Sequence, residues 1–243
     1  MTRLQAWAIP GLPEVRPGDD LAALLAGARL EAGDVLVVAH KVVSKAEGAL
    51  RRLDEVQPSA RAGELAAELG KDPRQVQVVL DESTEILRAE RGVLICRTHH
   101  GFVCANAGVD ASNAPDARTA ITLPRDPDAS ARALRGRFRA RPAVVIADSF
   151  GRAWRHGQCD VAVGIAGLRG LDDWRGRRDW FGHELRATAI AIADEAAAAA
   201  DLVRDKASRE PAVVVRGLER HVTEQDGPGA AQLVRTPDED LFP

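Results

Sequence analysis

The chain has 243 residues, 45% of them hydrophobic and 28% charged, with a formal net charge of −3. That is enough apolar material for a substantial core in one large domain or two small ones, and the bulk charge gives no case for a nucleic-acid partner. No apolar run reaches the length of a membrane span and the first residues lack the apolar stretch of a signal peptide, so a soluble cytoplasmic protein with no membrane partner is expected.

In chain order, residues 4–9 read as a short strand ended by Pro10-Gly11. Gly18-Asp-Asp20 offers a cap for a helix over 21–30, and Gly33-Asp34 turns into the apolar run 35–39, which has the character of a fully buried strand. Ser59 caps a helix that runs to Leu69 and stops at Gly70, and Pro73 opens another through about Leu80. Residues 92–96 and 102–105 flank Thr98-His-His-Gly101 as a hairpin. Asp126-Pro127 starts a helix through about Ala140, and strands are expected at 143–147 and 161–165. The longest helix is placed over 184–206, helped by the alanines at 196–200, and a last strand over 211–215. Helices and strands interleave without a strict βαβ rhythm. The pattern predicts an α+β architecture, with mixed parallel and antiparallel sheets and packed helices. Residues 1–220 read as one catalytic unit, with two subdomains as the alternative, and 221–243 as a loosely held polar tail.

Three cysteines, Cys96, Cys104 and Cys159, form no CxxC pair and are expected as reduced thiols. The adjacent His99 and His100 sit at a hairpin tip, where neighbouring side chains point to opposite faces, and read as surface residues. The basic stretches 132–141 and 169–178 read as a solvated helix face and a loop. Gly63-Glu-Leu-Ala-Ala-Glu-Leu-Gly-Lys71 has the wrong spacing for a P-loop and lacks the Ser or Thr after its lysine.

Two polar stretches carry the chemistry. Asn106-Ala-Gly-Val-Asp-Ala-Ser-Asn113 and Asp148-Ser-Phe-Gly-Arg-Ala-Trp-Arg-His-Gly-Gln158 each follow a strand-like run, so Asp110 and Asp148 are expected where a strand gives way to a loop. Two such carboxylates, brought together, can hold a hard divalent cation, and the Ser149 hydroxyl can ligate a second ion or a water. Arg152, Arg155 and His156 suit a phosphate-bearing ligand, and Lys41 and Lys45 follow a strand end, where ligands gather in open sheets. Together these residues suggest metal-assisted phosphoryl chemistry. Each also has a plainer reading: Asp110 in a capped turn, Asp148 as a helix cap or paired with Arg152, and the lysines simply exposed.

Taken in order, Leu12-Pro-Glu-Val15, the block from Gly33 to Gly48, the 106–113 loop, Leu123-Pro-Arg-Asp-Pro-Asp-Ala-Ser130 and the block from Asp148 to Gln158 resemble the coenzyme F420-0:L-glutamate ligases, the γ-glutamyl ligases of F420 biosynthesis. The resemblance runs from about Ile9 to Gly217. It implies a GTP-dependent amide ligase that phosphorylates the terminal carboxylate of F420-0 and lets the amine of L-glutamate displace phosphate, with γ-linked extension on repetition. It also implies Mg2+ or Mn2+, a contribution from K+, and an intertwined homodimer. On this resemblance Asp110, Asp148 and Ser149 hold metal, while Leu12, Pro13, Glu14, Val15, His40, Lys41, Lys45 and Asn113 contact the nucleotide. No residue stands out as the base for the incoming amine, and none is assigned. The family's glycine-containing closing loop corresponds to Arg204-Asp-Lys-Ala-Ser-Arg-Glu210, which has no glycine and carries Lys206 where some members have a metal-binding glutamate. That departure leaves open a ligase for another acid and amine, or a nucleotide-binding homologue without catalysis.

Overall fold

The computed structural model describes residues 3–205 and 207–240. Its elements are β1 (Gln5–Ala8), α1 (Leu21–Leu24), β2 (Val35–Ala39), α2 (His40–Glu47), β3 (Leu50–Arg52), α3 (Ala60–Leu69), α4 (Pro73–Asp81), β4 (Ser83–Glu90), β5 (Val93–Thr98), β6 (Val103–Ala105), β7 (Thr119–Ile121), α5 (Pro127–Gly136), β8 (Ala143–Arg152), β9 (Arg155–Ala166), β10 (Asp172–Asp173), β11 (Ala189–Ile190), α6 (Ile192–Val203) and β12 (Ala212–Arg216). The main sheet has the order β1-β12-β2-β8-β9, with β2 and β8 parallel and the other neighbours antiparallel. A second sheet, β4-β5-β6, is antiparallel throughout. The α+β fold with mixed sheets is therefore as expected.

Two apolar cores follow from these sheets. In the larger, Val35 to Val38, Ala143 to Ile146 and Val213 to Val215 are fully buried, which explains their unbroken apolar runs: a central strand has no wet face. The alanines of α6 pack there, and small side chains let that helix lie close to the strands. Gly164 on β9 serves the same purpose, because a Cβ there would meet the carbonyl oxygen of Pro127 at 2.5 Å. The smaller core joins α3 and α4 to the second sheet through Leu65, Val76, Val79, Leu94 and Cys96.

Several boundaries differ from expectation, each for a local reason. The first helix ends at Leu24 rather than residue 30, and Gly27 lies in the turns that follow. The helix from Pro127 ends at Gly136, where glycine weakens the last turn. The longest helix begins at Ile192, not Glu184, because residues 185–190 pair with 172–177 instead: Trp174 N donates to Thr188 O and Leu185 N to Arg177 O. Strand β4 has no counterpart in the sequence reading. Its sequence, Ser-Thr-Glu-Ile-Leu-Arg-Ala-Glu, is polar and helix-prone, as suits an irregular edge strand. Residues 221–234 do not trail away: His221 and Ala230 are buried, and Leu233 and Val234 pack on the larger core. Among the described residues no helix is long and apolar enough to cross a membrane.

Candidate functional site

The register of the parallel pair builds the floor of the site. Ala39 of β2 lies opposite Ala147 of β8, so the next residues, His40 and Asp148, emerge side by side. His40 is 1% exposed, and its Nε2 lies 3.2 Å from Asp148 Oδ1, too poorly aligned for a good hydrogen bond. The Ser149 amide donates to the same oxygen at 2.8 Å. Helix α2 starts at His40 without a side-chain cap, so the partial positive charge of its first turn points at this floor.

Asp110 arrives from another element. The chain reaches it through three successive left-handed residues, Asn106 (φ 51°), Ala107 (φ 52°) and Gly108 (φ 73°). A non-glycine residue in this region costs about 1 kcal/mol or more, and such strain concentrates where a loop must place a side chain. Only glycine fits at 108, since a Cβ would meet Leu123 Cγ at 2.7 Å. A two-way backbone bridge with Ile121 then fixes Asp110. Lys41 Nζ donates to Asp110 Oδ2 at 2.5 Å and to Ser112 Oγ at 2.6 Å. Burial pushes the Asp110 carboxyl up, but the Lys41 ammonium and two hydrogen bonds from Ser112 outweigh it and hold the group below the usual carboxylate range. Asp110 is thus an anion at neutral pH. Successive residues of one helix, His40 and Lys41, therefore each face one of the two carboxylates.

A cavity of about 840 Å³ opens over this floor, within the usual range for ligand pockets. Every residue that the family resemblance assigns to metal or nucleotide lines it: Asp110, Asp148 and Ser149, then Leu12, Pro13, Glu14 and Val15 on one wall, with His40, Lys41, Lys45 and Asn113. Lys45, 5% exposed, donates to Glu14 Oε1 at 2.5 Å and so ties that wall to α2. Arg204, Asp205, Ala207, Arg209 and Glu210, from the segment after α6, form another wall. Lys206 lies outside the described residues.

Three expectations are corrected. Asp148 does not end a strand, because β8 continues to Arg152 and returns as β9 in one long hairpin. Asp148 therefore sits inside the β8–β9 ladder opposite Val161, held more rigidly than a loop would hold it. The plainer reading of a salt bridge to Arg152 also fails, since Arg152 donates to the carbonyls of His156 and Gly157. Arg152, Arg155 and His156 are exposed at the hairpin end, and none of them lines the cavity. The strand carries them away from the floor, so the phosphate role expected of them has no support at this site.

Three lining residues were not found by sequence reasoning. Asp160 and Arg204 form a buried ion pair on the wall, and Ser112 braces Asp110 and Lys41. Asp160 carried no signal of its own, because it becomes the partner of Ser149 only once the hairpin is known.

The cysteines are set aside on chemical grounds. Burial, then the nearby Asp148 carboxylate and Cys96, push the Cys104 thiol up to about 12, and burial also raises Cys96 and Cys159. A thiol without thiolate is a poor nucleophile. N-ethylmaleimide at pH 8 is expected to label Cys159 alone in the native protein, with Cys96 and Cys104 reacting after denaturation. Native labelling of Cys104, read by peptide mass spectrometry, would contradict this burial.

The F420-0:gamma-glutamyl ligase family model matches residues 11–217, most of the chain. The chain belongs to this family. A coenzyme F420:L-glutamate ligase of Methanopyrus kandleri is 48% identical over 241 residues, covering 96% of this chain and 95% of that protein. Proteins of the same name are 44% identical in Methanothermobacter thermautotrophicus (96% of both chains) and 46% identical in Archaeoglobus fulgidus (89% and 88%). The F420-0:gamma-glutamyl ligase match spans every lining segment, within residues 12–15, 39–45, 110–113, 147–160 and 201–211. Membership makes the chain a ligase.

Proposed function

We propose that this ligase joins L-glutamate to coenzyme F420-0 at the expense of GTP, through an acyl phosphate, and extends the product by γ-linkage. One observation carries the reading. Residues from separate blocks of the chain meet in one cavity, where two carboxylates face a helix N-terminus and two lysines. A carboxylate resists attack by an amine because oxide is a poor leaving group. Phosphorylation replaces oxide by phosphate. The site must then hold two anionic substrates against their repulsion, a task of positioning and charge rather than covalent catalysis.

The divalent cation fits the donor set. Asp110, Asp148 and Ser149 offer hard oxygen, which suits Mg2+ or Mn2+. Among the described residues no group of three or more His, Cys, Asp or Glu side chains forms a metal cage. A cation that keeps waters and shares triphosphate oxygens needs no more than one or two carboxylates from the protein. Held by Asp110, Asp148 and Ser149, it would supply positive charge to offset the negative charge that develops during phosphoryl transfer. Lys41, now paired with Asp110, and Lys45 are placed to turn toward phosphate, and the α2 amides favour the same anion. Residues 12–15 and Asn113 line the remaining wall as nucleotide contacts. K+ belongs to the same proposal as an accessory cation.

The working form we propose is a homodimer. Trp180, Phe181 and Leu202 are each at least 82% exposed, an unusual display of large apolar side chains at a surface. Sedimentation equilibrium at micromolar concentration should give twice the chain mass, and a monomer there would remove the dimer from the proposal.

The activity itself is tested by incubating the protein with F420-0, L-glutamate, GTP and Mn2+. GDP, phosphate and a glutamylated F420 are expected by mass spectrometry only when all four are present. GTP turnover indifferent to L-glutamate, with no amide product, would sink the reading.

A further inference from the structure

Ser149 and Asp160 stand opposite each other on the β8–β9 hairpin. Ser149 Oγ donates to Asp160 Oδ1 at 2.6 Å, and Arg204 Nη2 donates to Asp160 Oδ2. Asp160 is 2% exposed, although its atoms reach the cavity wall. Both of its oxygens are engaged, so it is poorly placed to bind a cation itself.

The direction of the Ser149 bond matters. A carboxylate accepts hydrogen bonds and cannot donate them, so it commits the Ser149 proton. What Ser149 then offers to the cavity is oxygen lone pairs. A hydroxyl whose proton pointed at a cation would repel it. We propose that Asp160 is a positioning residue that fixes the Ser149 hydroxyl as an acceptor toward a divalent cation, with Arg204 engaging only its other oxygen. This rests on the metal reading above and goes beyond it, because it assigns a role to Asp160, a residue outside the proposed cation ligands.

The substitution Asp160→Asn tests the polarity rather than the shape. The Arg204 guanidinium only donates. It therefore draws the amide oxygen of the new side chain to itself and leaves the amide NH2 facing Ser149. Ser149 must then accept that bond, and its own proton turns toward the cavity. Outer partners of metal ligands typically alter metal affinity by about 10–100-fold when changed.

The experiment is calorimetric titration of Mn2+ into the full chain with saturating GDP, alongside thermal unfolding. Asp160→Asn should weaken Mn2+ binding by about tenfold or more. On a Ser149→Ala background the same substitution should add nothing, because a residue acting through another shows no independent effect. Arg204→Gln breaks the same ion pair but leaves Asp160 accepting the Ser149 proton, so Mn2+ affinity should hold. Should Asp160→Asn fail to fold, Ser149→Ala decides: it removes the hydroxyl that Asp160 positions, so Mn2+ affinity matching wild type in that variant would overturn the proposal. Unchanged affinity in Asp160→Asn, an equal loss with and without the Ser149 hydroxyl, or a loss in Arg204→Gln matching that in Asp160→Asn would each overturn the proposal. A wild-type chain that binds no Mn2+ would overturn the metal reading as well, so the two failures are distinguishable.

Discussion

Replacing Asp148 by asparagine is expected to lower ligase turnover about a thousandfold or more while the melting temperature barely moves. A cation that neutralises charge in phosphoryl transfer contributes several kcal/mol, and each 1.36 kcal/mol is a tenfold change in rate. The asparagine amide keeps the size of the carboxylate and its acceptor oxygen, so the 2.8 Å bond from the Ser149 amide survives. The His40 ring 3.2 Å away can face an amide oxygen as readily as a carboxylate. Asp148 also stands within a paired strand, with Ala147 and Ser149 both in the ladder, so the backbone does not depend on its charge. The loss should therefore appear in kcat rather than in folding. Product formation measured by mass spectrometry, together with the unfolding midpoint, separates the two. Turnover within tenfold of wild type in a folded Asp148→Asn protein would remove Asp148 from the metal site. Asp110→Asn should act in the same direction but disturb more, since Lys41 and Ser112 are arranged around that charge.

The contrast between Asp148 and the hairpin that holds it shows what the sequence made legible. The floor of the site was readable, because an unbroken Val-Leu-Val-Val run can only be a central strand, and polar residues just past it must face a crevice. Helices α3 and α4 were readable too, because Ser59, Gly70 and Pro73 mark their ends. The hairpin was not readable. Beyond Asp148 its strands leave the core and are wet, so residues 151–158 lack alternation and look like loop. Its tip holds Ala153 and Trp154, with Trp154 at φ 59°, rather than the Asn-Gly or Asp-Gly that announces such a turn. Asp160 was hidden for the same reason. The long-helix expectation failed through competition: Glu184 to Ile190 has fair helix propensity, but pairing with residues 172–177 satisfies its backbone instead. Asp110, Asp148, Ser149, Lys41 and Lys45 were readable from their places beside strand-like runs, residues 12–15, His40 and Asn113 came from the family resemblance alone, and only tertiary structure gathers them around one cavity.

The largest effect on stability is expected at a residue far from that cavity. Arg135, on the last turn of α5, is 1% exposed, a rare state for arginine. Its guanidinium donates to the carbonyls of Pro142 (3.1 Å), Glu224 (3.0 Å) and Thr223 (2.5 Å) and to Asp226 Oδ1 (2.5 Å). One side chain thus ties the end of α5 to the strand entry at 142 and to the segment after β12. Gly167 makes room for it, since a Cβ there would lie 2.3 Å from Arg135 Nε. Arg135→Leu fills much of the volume but strands the carbonyls of Pro142, Thr223 and Glu224, while Asp226 can turn to water and Arg141. A poorly hydrated acceptor without its donor costs about 1–3 kcal/mol, for a total on the order of 3–5 kcal/mol. For a chain of this size, that lowers the melting temperature by roughly 6–20 °C. Arg135→Lys should recover part of the loss, because a lysine keeps the charge but not the fork of donors. The segment 221–234 should become the first site of proteolysis in Arg135→Leu, as its anchors at Thr223 and Asp226 are gone. Below the transition, ligase turnover should match wild type, because distant sites act independently. Should Arg135→Leu melt with the wild type, the polar segment is held by Ala230, Leu233 and Val234 against the apolar core, and the guanidinium only fills space.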